Sequence, residues 1–227
     1  ALGSDHADVA GTLYKAGDFT PYLYRTADYG RSWTRITNGI DPLHFTRVVR
    51  ADPDRAGLLY AGTEYGMYVS FDDGEHWQSF QLNLPEVPIT DLQVRDRNLI
   101  VATQGRSFWI IDDLSPLHQL ENFVAEADFH LFQPKPSYRM RSGRGRRDPL
   151  LEGQNHPAGV MFYFNVDGDA REGDGVRLEI LEADGTLVKR FASDAEGDEP
   201  SLDVDAGANL FVWDCLLYTS DAADEHG

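Results

Sequence analysis

Two carboxylates stand in matching surroundings in this chain, and they are the first candidates for chemistry. Asp28 lies in Thr26-Ala27-Asp28-Tyr29-Gly30-Arg31-Ser32-Trp33, and Asp72 in Ser70-Phe71-Asp72-Asp73-Gly74-Glu75-His76-Trp77. Both stretches read Ser/Thr-x-Asp-x-Gly-x-x-Trp. A pair of carboxyl groups can hydrolyse a glycosidic bond, but only where the two flank one bond, about 5–5.5 Å apart for retention and about 6.5–9.5 Å for inversion. Glu64, Asp91 and Asp112 are the remaining acids on or near the strands of this region. One sequence gives no means of pairing any two of them across a cleft. The same aspartate also has a structural use. It accepts hydrogen bonds from N–H groups of its own turn, Ser/Thr adds a local side-chain bond, and Gly takes the positive φ of a tight hairpin. The Trp then opens the returning strand, where its ring packs and its N–H needs a partner. Thr26, Asp28, Gly30, Trp33, Ser70, Asp72, Gly74 and Trp77 are therefore read as scaffold, and no catalytic residue is assigned.

Other chemistry is sparse. Gly105-Arg106-Ser107 opens a strand from a loop, a position that lets Arg106 line a ligand face or make a structural ion pair. Arg106 is the candidate ligand-face residue. Asp167-Gly168-Asp169-Ala170-Arg171-Glu172 begins like a calcium loop but carries Arg at the fifth position, no Gly at the sixth and Leu178 at the twelfth, which breaks the ligand pattern. An EF-hand is rejected, and a loose calcium site among Asp167, Asp169 and Asp174 is kept only as the minor alternative. His44, His76, His118, His130 and His156 show no paired metal-ligand spacing, so no metal and no cofactor are expected. No phosphate-cradling glycine loop or Ser-His-Asp arrangement is present.

Charge narrows the partners. The chain has 227 residues with 38 acidic and 20 basic side chains, a net charge of −18. Such a surface repels nucleic-acid phosphates and anionic membranes. Arg139, Arg141, Arg144, Arg146 and Arg147, set among Gly and Ser, form a patch of the kind that grips phosphate; on so acidic a chain they are assigned to the protein itself or to solvent. No run of about 18 apolar residues offers a membrane segment. Cys215 is the only cysteine, so no internal disulfide forms and the redox compartment is left open.

The two boxes must be held by hairpins, and their spacing gives the architecture. Asp28 and Asp72, Gly30 and Gly74, and Trp33 and Trp77 are each offset by 44 residues. A decayed third copy follows at an offset of 40: Leu99-Ile100-Val101-Ala102-Thr103 answers to Leu59-Tyr60-Ala61-Gly62-Thr63, and Asp112-Asp113 to Asp72-Asp73. A period of about 40–45 residues built from short strands marks a β-propeller, one four-stranded blade per repeat. Strands are expected over 9–16, 22–25, 33–36, 46–49, 58–61, 67–69, 77–80, 91–94, 99–102 and 108–111. At Leu114 the box pattern fails, and 114–120 reads as an exit with one short helical turn around Pro116. The third blade is then expected to be closed by a strand from the propeller's other terminus, outside this sequence. Ala127 to Pro136 reads as an extended connector.

From Gly159 a second set of strands begins, over 160–166, 176–181, 187–191 and 209–213, with Asp184-Gly185 as a hairpin signal. Short strands at this spacing suggest an immunoglobulin-like sandwich. Cys215 to Glu225 resembles the translation of a sequencing-library adapter, and residues 215–227 are set aside as non-native; on this reading the protein is cut at both ends. The expected fold is all-β: a partial β-propeller over 1–118, a connector with the Arg-rich segment over 119–158, and an incomplete immunoglobulin-like β-sandwich over 159–214.

The boxes resemble Asp-boxes, the motif of bacterial neuraminidase (BNR) repeats, which sialidases, tandem-propeller xyloglucan hydrolases and sortilin-type receptors share. The wording Leu58-Leu59-Tyr60-Ala61-Gly62-Thr63-Glu64, then Gln104-Gly105-Arg106-Ser107-Phe108-Trp109-Ile110-Ile111-Asp112-Asp113, resembles large bacterial proteins labelled sortilin-like, BNR-repeat or glycosyl hydrolase. The resemblance extends to Asp214, where Asn209-x-Phe211-x-Trp213-Asp214 matches the end of their C-terminal module. It implies a secreted or periplasmic protein and peripheral, structural Asp-box turns. The implied function is a binding or scaffold module for a protein, peptide or glycan ligand on the propeller face. The alternative is part of a secreted glycoside hydrolase, sialidase-like or xyloglucanase-like. A sialidase needs an arginine cluster and a tyrosine nucleophile, and the spacing of Arg47, Arg50 and Arg106 specifies no such triad. Binding is preferred because no complete catalytic set can be assembled; whether a parent protein is an enzyme stays open.

Overall fold

A computed structural model of the chain describes residues 5–121, 124, 127–137, 155–167, 175–197 and 200–215. The architecture is all-β, with one five-residue helix among the described residues. The chain forms two compact units, Ala1–Leu114 and Ser115–Gly227.

The first unit contains three antiparallel sheets in chain order. β1 (Ala7–Leu13), β2 (Asp18–Thr26) and β3 (Thr34–Arg35) form the first. Strand character stops at Leu13 rather than running to Ala16, because Tyr14–Ala16 closes into a 3-10 turn that ends on Gly17 at φ +81. The second sheet is a complete four-stranded meander of β4 (Thr46–Ala51), β5 (Leu59–Thr63), β6 (Gly66–Ser70) and β7 (Gln78–Ser79). The third is β8 (Ile89–Arg95), β9 (Asn98–Thr103) and β10 (Phe108–Ile111), with β9 central.

Every residue of β5 and β6 is buried. A strand buried on both faces needs apolar or small residues throughout, not alternation, and Leu59-Tyr60-Ala61-Gly62-Thr63 supplies them. Gly62 marks the closest approach: a Cβ there would lie 2.6 Å from Ile89 Cγ2 of the third sheet and 2.7 Å from Val48 Cγ1. On the other side, buried Thr46 stitches the second sheet to the first. Its hydroxyl accepts from the Tyr22 N–H (3.1 Å) and faces the Tyr22 and Gly11 carbonyls at 2.8 and 3.1 Å. The sheets thus stack like successive propeller blades.

Strand registers give the correspondence between blades. Tyr24 pairs Arg35 and Arg25 pairs Thr34, as Tyr68 pairs Ser79 and Val69 pairs Gln78, so the offset of 44 holds for the box hairpin. In the third sheet Leu99 pairs Ile111, where Leu59 pairs Ser70. The offset is therefore 40 in β9 but 41 in β10, because the loop Gln104–Ser107 carries one extra residue. Asp113, not Asp112, occupies the place of Asp72. By the same correspondence the first sheet holds the last three strands of a blade, and the third sheet holds the first three.

In the second unit, α1 (Ser115–Gln119) is the short helical turn. Within the stretch expected as a connector, Phe129–Leu131 forms a strand, β11, which pairs with β12 (Val160–Val166); β12 also pairs with β15 (Gly207–Trp213). β13 (Arg177–Leu181) and β14 (Leu187–Ala192) make a second sheet. Phe164 and Val166 from one sheet meet Leu178 and Phe191 from the other, with Leu202, in one apolar core. This is sandwich packing. Arg139 to Arg147, Asp169, Asp174 and residues 216–227 lie outside the described residues.

Candidate functional site

The two box turns share one hydrogen-bond plan. In the first, Thr26 Oγ1 donates to Asp28 Oδ1 (2.8 Å) and accepts the Gly30 N–H (2.8 Å). Asp28 Oδ1 also takes the Ser32 N–H (2.9 Å), and Oδ2 takes the Ser32 hydroxyl (2.7 Å). In the second, Ser70 Oγ donates to Asp72 Oδ1 (2.8 Å) and accepts the Gly74 N–H (2.8 Å). Asp72 takes the His76 N–H on Oδ1 (2.9 Å) and the His76 ring Nδ1 on Oδ2 (2.7 Å). Each turn uses two consecutive left-handed residues, Tyr29-Gly30 at φ 61 and 81 and Asp73-Gly74 at φ 60 and 86. Glycine accepts that region freely and aspartate tolerates it, whereas a bulky tyrosine does so at a cost.

These bonds set the carboxylates' acidity. The Ser32 hydroxyl, then the Ser32 amide and the Thr26 hydroxyl, lower Asp28 to about 2. At Asp72 burial acts first and raises the pKa, but the His76 amide, His76 ring and Ser70 hydroxyl outweigh it and leave the group below its ordinary value. A carboxylate that accepts several hydrogen bonds stays ionised. Neither group can hold a proton to donate near neutral pH.

The two tryptophans part company. Trp77 is 5% exposed, in a cluster with Leu23, Ile36, Ile40, Val49, Leu59, Ala61 and Tyr68, and its Nε1–H donates to the Ile36 carbonyl at 2.8 Å. Trp33 is 45% exposed. The second box is also met by the segment leaving the first blade. The Trp77 N–H donates to the Asn38 carbonyl (2.8 Å), and Asn38 Nδ2 to the Glu75 carbonyl (3.2 Å). A Cβ on Gly39 would sit 2.1 Å from the Trp77 carbonyl oxygen, so only glycine fits there. Nothing among the described residues plays that part for Trp33.

The remaining acids are engaged. Arg47 Nε donates to Glu64 Oε2 at 2.7 Å, and Arg50 Nη2 to Asp91 Oδ1 at 2.6 Å. Arg25, which sequence reasoning passed over, is half-buried and reaches Asp8 (2.8 Å) and Asp73 of the second box (2.8 Å). It lines a polar groove with Asp28, Ser32, Asp73 and Glu75. The signal for it was faint, because Val69 stands at the equivalent place in the next repeat. Asp72, Glu75 and His76 bring ligand-type atoms within 4.8 Å of one another, all on exposed residues. Arg106 is exposed. Its N–H donates to Thr103 Oγ1 (3.2 Å) and its carbonyl accepts Trp109 Nε1–H (2.9 Å), while its guanidinium makes no ion pair among the described residues.

No protein-family model matches the chain, and no curated protein matches it. Among solved structures it is similar to YCF48 bound to D1 peptide, with 21% identity over 40% of this chain and 31% of that one, at a TM-score of 0.31. It is also similar to an ancestral GH74 enzyme, with 13% identity over 83% of this chain and 25% of that one, at a TM-score of 0.30. The matches thus span about a third or less of either neighbour. Such loose likenesses assign no activity.

Proposed function

We propose that the chain is part of a BNR/Asp-box propeller protein, secreted or periplasmic, and acts as a non-catalytic binding and scaffold module. Its ligand is a protein, peptide or glycan on the propeller face, and Arg106, whose guanidinium makes no ion pair among the described residues, is the residue there that meets it. The observation that carries this reading is the state of the acids. Asp28 and Asp72 are consumed by their own turns and held in the ionised form, and Glu64 and Asp91 are closed by arginine partners. A glycosidase needs one carboxyl kept protonated to serve as general acid, and the box aspartates are tuned the opposite way.

The test is a binding screen of the intact chain at neutral pH against a glycan array and a displayed peptide library. A ligand of one class should bind reproducibly and weaken in Arg106→Ala at an unchanged unfolding midpoint. No binding in either screen would overturn the proposal.

A further inference from the structure

At the end of the three sheets opposite the boxes, the first hairpin is longer than its counterparts. Tyr22 pairs Gly11 as its equivalent Gly66 pairs Thr63. Beyond that pair the first sheet adds residues 12–21, whereas the second turns back through Glu64-Tyr65 alone. The third closes over residues 104–106 between Thr103 and Ser107, which puts Arg106 at the same end. Thr46, bonded to Gly11 and Tyr22, pins the base of the long hairpin to the second sheet.

The extension crosses onto the second sheet. Tyr14 stacks on Phe45, the residue before β4, with ring centroids 5.0 Å apart and planes 12° apart, and Phe19 tilts against the same ring at 6.0 Å. Phe45 is buried, but Tyr14 and Phe19 stay exposed. Arg47 lies over the Tyr14 and Phe45 rings, at 5.9 and 5.3 Å, and both its bonds to Glu64 fall on Oε2. Glu64 Oε1 has no partner among the described residues. Next to Glu64 comes Tyr65, exposed and 4.9 Å from the His44 ring. The cluster stands over the closed junction that Leu23, Val49, Ala61 and Tyr68 fill, not at an unpaired strand edge.

We propose that this cluster binds a neutral oligosaccharide. Aromatic faces are electron-rich and attract the weakly positive C–H bonds that one face of a pyranose ring presents. Beside the rings, the Arg47–Glu64 pair holds a carboxylate oxygen and guanidinium N–H groups in fixed directions, an acceptor and donors for neighbouring sugar hydroxyls. Aromatic walls with a few placed polar groups are the usual lining of a small-ligand site. Charge selects against other ligands. Arg47 and Glu64 neutralise one another, so an anion finds no unpaired cation in the cluster, and the net charge of −18 repels it. A cation is repelled by Arg47, which already occupies the faces of Tyr14 and Phe45. This proposal rests on the binding reading and gives that reading a site and a ligand class.

The probes are linear hexasaccharides of β-linked glucose, mannose, xylose and N-acetylglucosamine, titrated into the intact chain by isothermal titration calorimetry, with hexagalacturonate as the acidic control. At least one neutral probe should bind, and the acidic one should not. Tyr14→Ala and Tyr65→Ala should each weaken that binding roughly tenfold or more, the loss expected of a hot-spot ring, while Tyr14→Phe keeps the stacking face and most of the affinity. Glu64→Gln should weaken binding as well. Tyr14 covers Phe45, so where Tyr14→Ala lowers the unfolding midpoint, Tyr65→Ala on its surface turn decides. No binding of any neutral probe overturns the proposal. So does binding that folded Tyr65→Ala and Glu64→Gln leave unchanged, or tighter binding of hexagalacturonate. A peptide from the earlier screen that binds the wild type but not Tyr65→Ala assigns the cluster to peptides and overturns it too. If a ligand from that screen binds Tyr65→Ala undiminished, the binding reading stands and this site alone falls.

Discussion

Replacing each box tryptophan by alanine separates the packing between blades from the hairpin itself. Trp77 is 5% exposed and Trp33 is 45% exposed. A buried tryptophan covers roughly 150–250 Å², which at about 25 cal/mol/Å² is an upper bound near 4–6 kcal/mol. Large-to-small core substitutions cost about 3–5 kcal/mol, and Trp77→Ala should fall in that range, since it also strands the Ile36 carbonyl. Trp33 has little more than half its surface removed from water, so Trp33→Ala should cost about 2 kcal/mol or less. The assay is urea unfolding followed by far-ultraviolet circular dichroism. Because the chain forms two units, transitions need assignment unit by unit, and amide exchange at Leu59 and Tyr68 reads the second sheet directly. Equal losses for the two variants would refute the claim that the preceding blade, rather than the hairpin, holds Trp77.

Three further outcomes follow from the geometry. Asp72→Ala loses the acceptor for the His76 amide and the Ser70 hydroxyl and should cost roughly 0.5–2 kcal/mol, by analogy with a helix-capping aspartate; no change in the urea midpoint would contradict it. Asp28 is held below its unfolded value of roughly 3.9, so its stabilisation is complete above that pH and is lost as pH falls through about 2. Unfolding midpoints taken from pH 5 to pH 2 should therefore fall less steeply in Asp28→Asn than in the wild type, and identical slopes would contradict the assignment. Gly62→Ala sets a methyl 2.6 Å from Ile89 Cγ2 and should cost about 1–3 kcal/mol through overpacking, read as a lowered midpoint for the first unit; a neutral change would show the sheets are less tightly stacked.

The repeating hairpins were legible in the sequence because their signals are local: Asp, Gly and Ser/Thr act on their own turn, and the offset of 44 carries through to strand pairing. Sandwich strands β12 to β15 were likewise visible as short apolar runs at regular spacing and in Asp184-Gly185. What could not be read depends on neighbours in space. The pattern shared around Trp33 and Trp77 hides a ninefold difference in exposure (45% against 5%), since a preceding sheet encloses only the second. The third box was placed one residue early, on Asp112, because the sequence does not say which strand absorbs the extra residue of the Gln104–Ser107 loop. Phe129–Leu131 is a strand through its pairing with Phe164–Val166, far along the chain and invisible to a local reading. At the candidate site, the ion pairs of Glu64 and Asp91 and the two-sided grip of Arg25 arise only once the strands are laid side by side.

The central claim, a binding module without glycosidase chemistry, is tested most directly by incubating the intact chain with a sialoside and with β-glucan oligosaccharides and measuring released product by mass spectrometry. The predicted result is no product above a heat-inactivated control at any pH from 4 to 8. Turnover that disappears in Glu64→Gln or Asp91→Asn, with the unfolding midpoint unchanged, would contradict the claim and make those paired carboxylates catalytic.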